Sequence, residues 1–250
     1  MHRFFVHKGN ISEEEIIIDH VEDVKHIVKV LRLSKDDIIE VCDGENQEYI
    51  AKLSIVDKTQ VKATILEKKE SQTEAQICVT LFQGIPKSTK MDLIIQKCTE
   101  LGINKITPVV TERTIVQLKD KKAEEKKIDR WQKIADTAAK QCKRGVIPKI
   151  DMPLHYRELL ECISQYDLVI VAYEEEQDLG IKSILQASKK SKKIAIVVGP
   201  EGGFEKEEVE GLKEVGAKSV TLGPRILRTE TAGFVALGIV MYEIGDLGGK

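Results

Sequence analysis

The chain reads as an α/β protein in which a parallel sheet carries helices on both faces and follows a small domain of short strands. Three observations predict this. From Ile77 onward, apolar β-branched runs alternate with longer stretches of helical spacing, the rhythm of strand–helix units around a parallel sheet. Before that point the apolar runs are short and close together, as in a small barrel or curled sheet. Between the two lies a polar segment, Glu67 to Gln76, which sets domains at residues 1–70 and 71–250.

In the first domain the predicted strands are Arg3 to Val6, Ile16 to Ile18, Ile38 to Cys42, Tyr49 to Ile55 and Val61 to Leu66. Asp43-Gly44 marks a hairpin turn between two of them. Val24, Ile27, Val28 and Leu31 share one helical face. Phe4 and Phe5 suit a strand filling the small core better than a base-stacking role.

In the second domain Ile77 to Phe82 opens the sheet. Met91, Ile94, Ile95, Cys98 and Leu101 follow with helical spacing, stopped by Gly102. Ile106 to Val110 is the next strand. Ile128, Trp131, Ile134, Ala135, Ala138 and Cys142 then line one face of a long basic helix, where Trp131 reads as core. Leu168 to Ala172, Ile194 to Val198 and Ser219 to Leu222 complete the predicted strands. The last helix, about Thr229 to Ile244, is apolar on nearly every side and so predicts burial on nearly every side. Gly233 and Gly238 inside it each cost up to about 1 kcal/mol against alanine, which close backbone approach would offset.

Two loops carry the chemistry. Gly199-Pro200-Glu201-Gly202-Gly203-Phe204 and Leu222-Gly223-Pro224-Arg225-Ile226-Leu227-Arg228-Thr229-Glu230-Thr231-Ala232 each leave a predicted buried strand and open into a helix. Loops at the carboxyl ends of neighbouring strands are where an open α/β sheet binds its ligand. A phosphate cradle would want bare helix amides and a lysine, yet here Glu201 sits in the loop and Glu205-Lys206-Glu207-Glu208 begins the helix. Such carboxylates already complement the helix dipole and repel phosphate. No GxGxxG run is present, which excludes a Rossmann-type dinucleotide site. A neutral or cationic ligand fits better, although the first loop taken alone reads equally as a plain glycine turn.

Composition bounds the remaining choices. The chain has 250 residues, 42% of them hydrophobic, enough for one large or two small cores. No apolar run approaches the ~18 residues of a membrane span, and the polar, acidic continuation of the N-terminus is unlike a secretory signal. Cys42, Cys78, Cys98, Cys142 and Cys162 are odd in number and contain no CxxC, so free thiols are expected. The five histidines lack metal-ligand spacing, and no metal is expected. Net charge is −2, but Glu112 to Lys149 holds 12 Lys plus Arg against 6 Asp plus Glu. Such a patch can meet phosphates, while Lys119 to Lys127 alone reads as a solvated helix face.

The two loops resemble the bacterial 16S ribosomal RNA (uracil-N3)-methyltransferase family of the SPOUT superfamily. So do Met1-His2-Arg3-Phe4-Phe5, Lys87 with Lys90-Met91-Asp92, Thr99-Glu100-Leu101-Gly102, Glu112-Arg113, Arg130-Trp131 and Ala172-Tyr173-Glu174, in that order. The resemblance implies a SPOUT-type sheet with a deep C-terminal trefoil knot, a PUA-like N-terminal barrel over residues 1–70, and a cytoplasmic homodimer. It implies S-adenosylmethionine as cofactor, held by Tyr173, Glu174, Gly199, Pro200, Glu201, Gly202, Gly203, Leu222, Gly223, Ile226 and Leu227. The implied substrate is 16S rRNA of the small ribosomal subunit, met by Arg3, Lys87, Lys90, Arg113 and Arg144. Arg228, Glu201 and Glu230 become the catalytic candidates. Arg228 suits orientation and charge on the base, while either glutamate could take a proton, cap a helix or face the sulfonium. The alternatives are an RNA-binding protein with a decayed pocket, a SPOUT methyltransferase with another target nucleotide, and a phosphoryl-transfer enzyme, which the missing lysine disfavours.

Overall fold

A computed structural model describes residues 1–115 and 120–249, so Lys119 lies outside the described residues. The chain divides into two compact units, Met1–Glu74 with Ala139–Ile147, and Ala75–Ala138 with Pro148–Lys250. The sequence does not announce that 139–147 joins the N-terminal unit.

The first unit is a five-stranded sheet in the order β1-β3-β4-β5-β2. Its strands are β1 (Arg3–Phe5), β2 (Glu15–Ile18), β3 (Ile38–Cys42), β4 (Gln47–Val56) and β5 (Val61–Glu70). β1 lies parallel to β3, and the other pairs are antiparallel. Asp43-Gly44 forms the β3–β4 turn, with Gly44 at φ +77° and Asp43 Oδ1 accepting the amides of Glu45 and Gln47. Register shifts bend the β4–β5 ladder after Ile50 and Leu53. Helix α1 (Val21–Lys25) runs on as a π-helical turn over His26–Leu31, and Arg32 ends it at φ 53°. Val24 and Ile27 join Phe4, Ile16, Ile39, Val41 and Leu53 in the core. The 139–147 segment is tied in by Glu74, whose Oε1 accepts the amides of Gly145 and Val146 and whose carboxylate pairs with Arg144. A side chain on Gly145 would overlap Ser71, so that close approach requires glycine.

The second unit is an all-parallel sheet in the order β12-β10-β11-β6-β7-β8, with β9 also pairing to β7. The strands are β6 (Cys78–Gly84), β7 (Lys105–Val110), β8 (Lys149–Ile150), β9 (Leu154–His155), β10 (Leu168–Ala172), β11 (Lys193–Val198) and β12 (Lys218–Val220). The helices are α2 (Lys90–Glu100), α3 (Lys121–Gln141), α4 (Tyr156–Cys162), α5 (Ile181–Ala187), α6 (Lys206–Glu214) and α7 (Thr229–Glu243). Alternate residues of the central strands serve opposite cores, which is why these strands read as continuous apolar runs. Leu81, Ile170, Ile194 and Ile196 pack with α2, α3, α5 and α7, including the buried Trp131. Phe82, Val171, Ala195 and Val197 pack with Leu159 of α4 and Val209 and Leu212 of α6.

Two expectations change. α4, α5, β8 and β9 have no counterpart in the sequence reading because each is too short for periodicity to decide. Helix α7 buries Ala232, Gly233, Ala236, Leu237, Val240 and Met241, but Phe234, Val235, Gly238 and Ile239 stay half-exposed and Tyr242 is exposed. Gly233 does sit close, since a Cβ there would lie 3.0 Å from Gln83 Oε1, whereas Gly238 has nothing within 4 Å in this chain.

Candidate active site

Loops at the carboxyl ends of β10, β11 and β12 enclose a cavity of about 840 Å³ in the second unit. The loop after β10 brings Tyr173 and Glu174, and the loop after β11 brings Gly199, Pro200, Glu201 and Gly203. The loop after β12 supplies Leu222 through Glu230. The sequence reading set β11 and β12 side by side. In the sheet β10 lies between them, so the two glycine loops face each other across a third.

The first loop is fastened at almost every residue. Gly84, ending β6, meets it so closely that a Cβ there would stand 2.4 Å from Pro200 N. Thr229 Oγ1 donates to the Gly199 carbonyl and accepts from Gln83 Nε2 at 2.9 Å. Glu201 Oε1 accepts from the Lys87 amide at 3.0 Å and from Lys90 Nζ at 2.9 Å. Arg113 grips the far end, donating to the Gly202 carbonyl at 2.8 Å and to both oxygens of Glu205 at 2.7 and 2.9 Å. Gly203 turns at φ +69° under the Glu174 carboxylate, where any side chain would collide. Beyond it Glu205 and Glu208 cap α6 reciprocally.

The second loop is almost free. Gly223, Pro224, Arg225 and Ile226 are exposed, and Ile226 reaches 86%. Leu222 and Leu227 are half-buried against the core and give the cavity an apolar wall. The Arg228 side chain is 81% exposed, with Nη1 4.0 Å from Glu230 Oε1.

Electrostatically the cavity turns on Lys90. Its ammonium bonds Glu201 and stands 3.6 Å from Glu230 Oε2, and the bond to Glu201 foremost raises its pKa. Burial alone would push the Glu201 carboxyl up, but its bonds from Lys90 and the Lys87 amide outweigh that and hold it below the usual carboxylate range. Burial, then a hydrogen bond to Glu175, pushes the Tyr173 phenol up to about 12. Among the described residues no cluster suited to a metal ion gathers.

The expected site residues separate. Tyr173, Glu174, Gly199, Pro200, Glu201, Gly203, Leu222, Gly223, Ile226, Leu227, Arg228, Glu230 and Lys90 all line the cavity. Gly202 does not, because it faces Arg113, with a notional Cβ 3.1 Å from the Arg113 Cβ. Three of the expected RNA contacts are committed elsewhere. The Arg3 side chain is 7% exposed, pairs with Glu40 and Glu48 and donates to the Arg144 carbonyl. Arg144 is 3% exposed against Glu74. Arg113 spends its guanidinium on Glu205 and Gly202. A basic count cannot distinguish an arginine sealed in an ion pair from one facing solvent. Gln83, Gly84 and Thr229 are residues the sequence reading missed. Glycine at the end of a strand was the available sign for Gly84.

The model of the RNA methyltransferase domain matches residues 73–241, and that of the RNA methyltransferase PUA domain matches residues 18–66. The chain belongs to the RNA methyltransferase family. Ribosomal RNA small subunit methyltransferase E of Bacillus subtilis is 38% identical, covering 97% of each chain. That of Aquifex aeolicus is 33% identical over 96% of this chain and 99% of its own. In structure, ribosomal RNA small subunit methyltransferase E from Neisseria gonorrhoeae bound to S-adenosyl methionine superposes with a TM-score of 0.86 at 32% identity, covering 99% of both chains. Both the PUA module and the parallel-sheet module of this RNA methyltransferase are therefore shared with full-length relatives.

Proposed function

We propose that this chain is an S-adenosylmethionine-dependent methyltransferase acting on N3 of a uridine in 16S rRNA of the small ribosomal subunit. The observation that carries the reading is the cavity itself. It combines a glycine turn whose backbone has no room for a Cβ at Gly199 or Gly203, apolar walls at Leu222 and Leu227, and carboxylates at Glu174, Glu176 and Glu201. That donor set suits an uncharged adenosine joined to a cationic sulfonium and repels phosphate. Tyr173, Glu174, the backbone of Gly199, Pro200, Glu201 and Gly203, and Leu222, Gly223, Ile226 and Leu227 would hold the cofactor, which when bound supplies an activated methyl group. The protein's task is then to align the base and remove its N3 proton. Arg228, 81% exposed beside Glu230, would donate to a carbonyl edge and steady the uracil anion.

With Arg3 and Arg144 sealed, the RNA-facing cations are the unpaired ones. Around the cavity these are Lys87 and Arg225, joined by Arg228, which is 81% exposed beside Glu230. In the first unit Lys25, Lys29, Arg32 and Lys35 are exposed, make no ion pair among the described residues, and occupy a stretch from Val24 to Lys35 without one carboxylate. Residues 1–70 act as the PUA-like RNA platform and 71–250 as the knotted catalytic domain. The half-exposed apolar face of α7, with Val235, Gly238 and Tyr242, is what a second copy would cover, giving a cytoplasmic homodimer.

Titration calorimetry with S-adenosylmethionine, followed by mass spectrometry of 16S rRNA from small subunits incubated with the protein, tests the reading. Saturable binding and one new N3-methyluridine are expected. Replacing Lys25, Lys29, Arg32 and Lys35 by glutamate should flatten the salt dependence of RNA affinity, each lost phosphate contact removing about 0.7–0.9 from the log–log slope.

A further inference from the structure

We propose that Glu230, rather than Glu201, takes the N3 proton of the target base; the inference rests on the function proposed above. The two carboxylates share the cavity and the same lysine, but they are in opposite states. Glu201 Oε1 already accepts two hydrogen bonds, from Lys87 N and Lys90 Nζ, and these keep it ionised. A carboxylate stabilised in that way is a weaker base. Glu230 is 91% buried by residue surface, since only 9% remains exposed, yet it lines the cavity, and its Oε2 has no hydrogen-bond partner among the described residues. Its Oε2 is sealed from solvent with Lys90 Nζ at 3.6 Å, just beyond bonding distance. A buried carboxylate oxygen that meets its cation at ion-pair distance but accepts no hydrogen bond keeps a bonding direction for a donor that arrives with the ligand.

The surroundings fit a proton acceptor. Glu230 sits in the first turn of α7, which fixes its backbone at the cavity. The groups facing it are Lys90 from α2, Arg228 from the preceding loop, and Glu201 across Lys90. Glu174, Glu176 and Arg225 are the remaining charged groups of the cavity. In the transfer, the N3–H bond breaks and its proton moves to the Glu230 carboxylate. The freed pair on N3 forms the bond to the methyl carbon, and the pair of the broken carbon–sulfur bond stays on sulfur as a neutral thioether. Arg228 steadies the developing anion on the base, and the proton later passes to solvent.

The test compares Glu230→Gln, Glu230→Asp and Glu201→Gln on small subunits across pH, with cofactor affinity measured separately by calorimetry and folding by circular dichroism. Glu230→Gln should lose about 10²–10⁴-fold in kcat at neutral pH. Its cofactor affinity should stay within a few-fold of wild type. The deficit should shrink at alkaline pH, where uracil N3 ionises unaided. Glu230→Asp keeps a base and should show a smaller loss with no such recovery. Glu201→Gln should weaken cofactor binding without alkaline recovery. A pH-independent Glu230→Gln deficit, a matching loss of cofactor affinity, or alkaline recovery in Glu201→Gln instead would overturn the assignment. A wild-type chain that methylates no small-subunit RNA would overturn the function beneath it, a result distinguishable from an active wild type with a misassigned base.

Discussion

The two glycine loops that close the cavity differ in how they are held. The loop after β11 is gripped by Gly84, Thr229, Lys87, Lys90 and Arg113, so its backbone is set before any ligand arrives. The loop after β12 presents Arg225, Ile226 and Arg228 to solvent, with Thr221 bonding Gly223 at its start. Preorganisation suits the small cofactor, because a fixed backbone loses little entropy on binding. Freedom suits a large RNA, whose target nucleotide must be drawn to the cavity and fitted there. Under the proposed function, binding of the donor and recognition of the base would be divided between these two glycine-containing loops.

The widest separation of the two roles is expected from Arg228→Ala. Its side chain is almost fully exposed, so stability should not change. Losing one donor aimed at developing charge costs about 10²–10³ in kcat. Cofactor affinity, measured by calorimetry, should be retained. An Arg228→Ala protein that methylates small subunits at the wild-type rate would erase the contrast between the loops.

Gly84→Ala attacks the rigid loop from beneath. The new Cβ would lie 2.4 Å from Pro200 N and 2.7 Å from Gly199 C, both backbone atoms without freedom to move aside. Overpacking of this kind costs about 1–3 kcal/mol, roughly 5–150-fold in an equilibrium constant. Thermal unfolding and cofactor calorimetry should both register it. Unchanged cofactor affinity in a folded Gly84→Ala protein would show that the loop is not set by its packing on β6.

Much of this arrangement was legible in the sequence, for identifiable reasons. Leu168 to Ala172 and Ile194 to Val198 read as buried strands because both of their faces are covered. Asp43-Gly44 read as a turn because its chemistry is local. The cavity was legible because its lining comes from a few contiguous loops, so Gly199, Glu201, Leu222 and Glu230 meet as their motifs require. Partnering was not legible, because it is set by distant residues. Arg144 finds Glu74, and Arg3 finds Glu48, across separations no local pattern records. Sheet order failed in the same way, since β10 precedes both β11 and β12 in sequence yet lies between them.

The smallest effects should come from the outer edge of the rigid loop, where the contrast is sharpened rather than broken. Arg113 donates to the Gly202 carbonyl and clasps Glu205, with both partners near the surface. Solvent screening keeps exposed pairs weak, so Arg113→Ala should raise the cofactor Kd only a few-fold. Its RNA affinity should keep the wild-type salt slope, because the guanidinium is already spent within the protein. If Arg113 met a phosphate instead, the slope would fall by about 0.7–0.9 while cofactor affinity held. Gly202→Ala should be milder still, as its Cβ would come 3.1 Å from the Arg113 Cβ, outside the cavity, where the side chain can yield by a few tenths of an ångström. Paired titrations on the two variants, one with S-adenosylmethionine and one with RNA at several salt concentrations, decide whether this edge serves the cofactor or the nucleic acid.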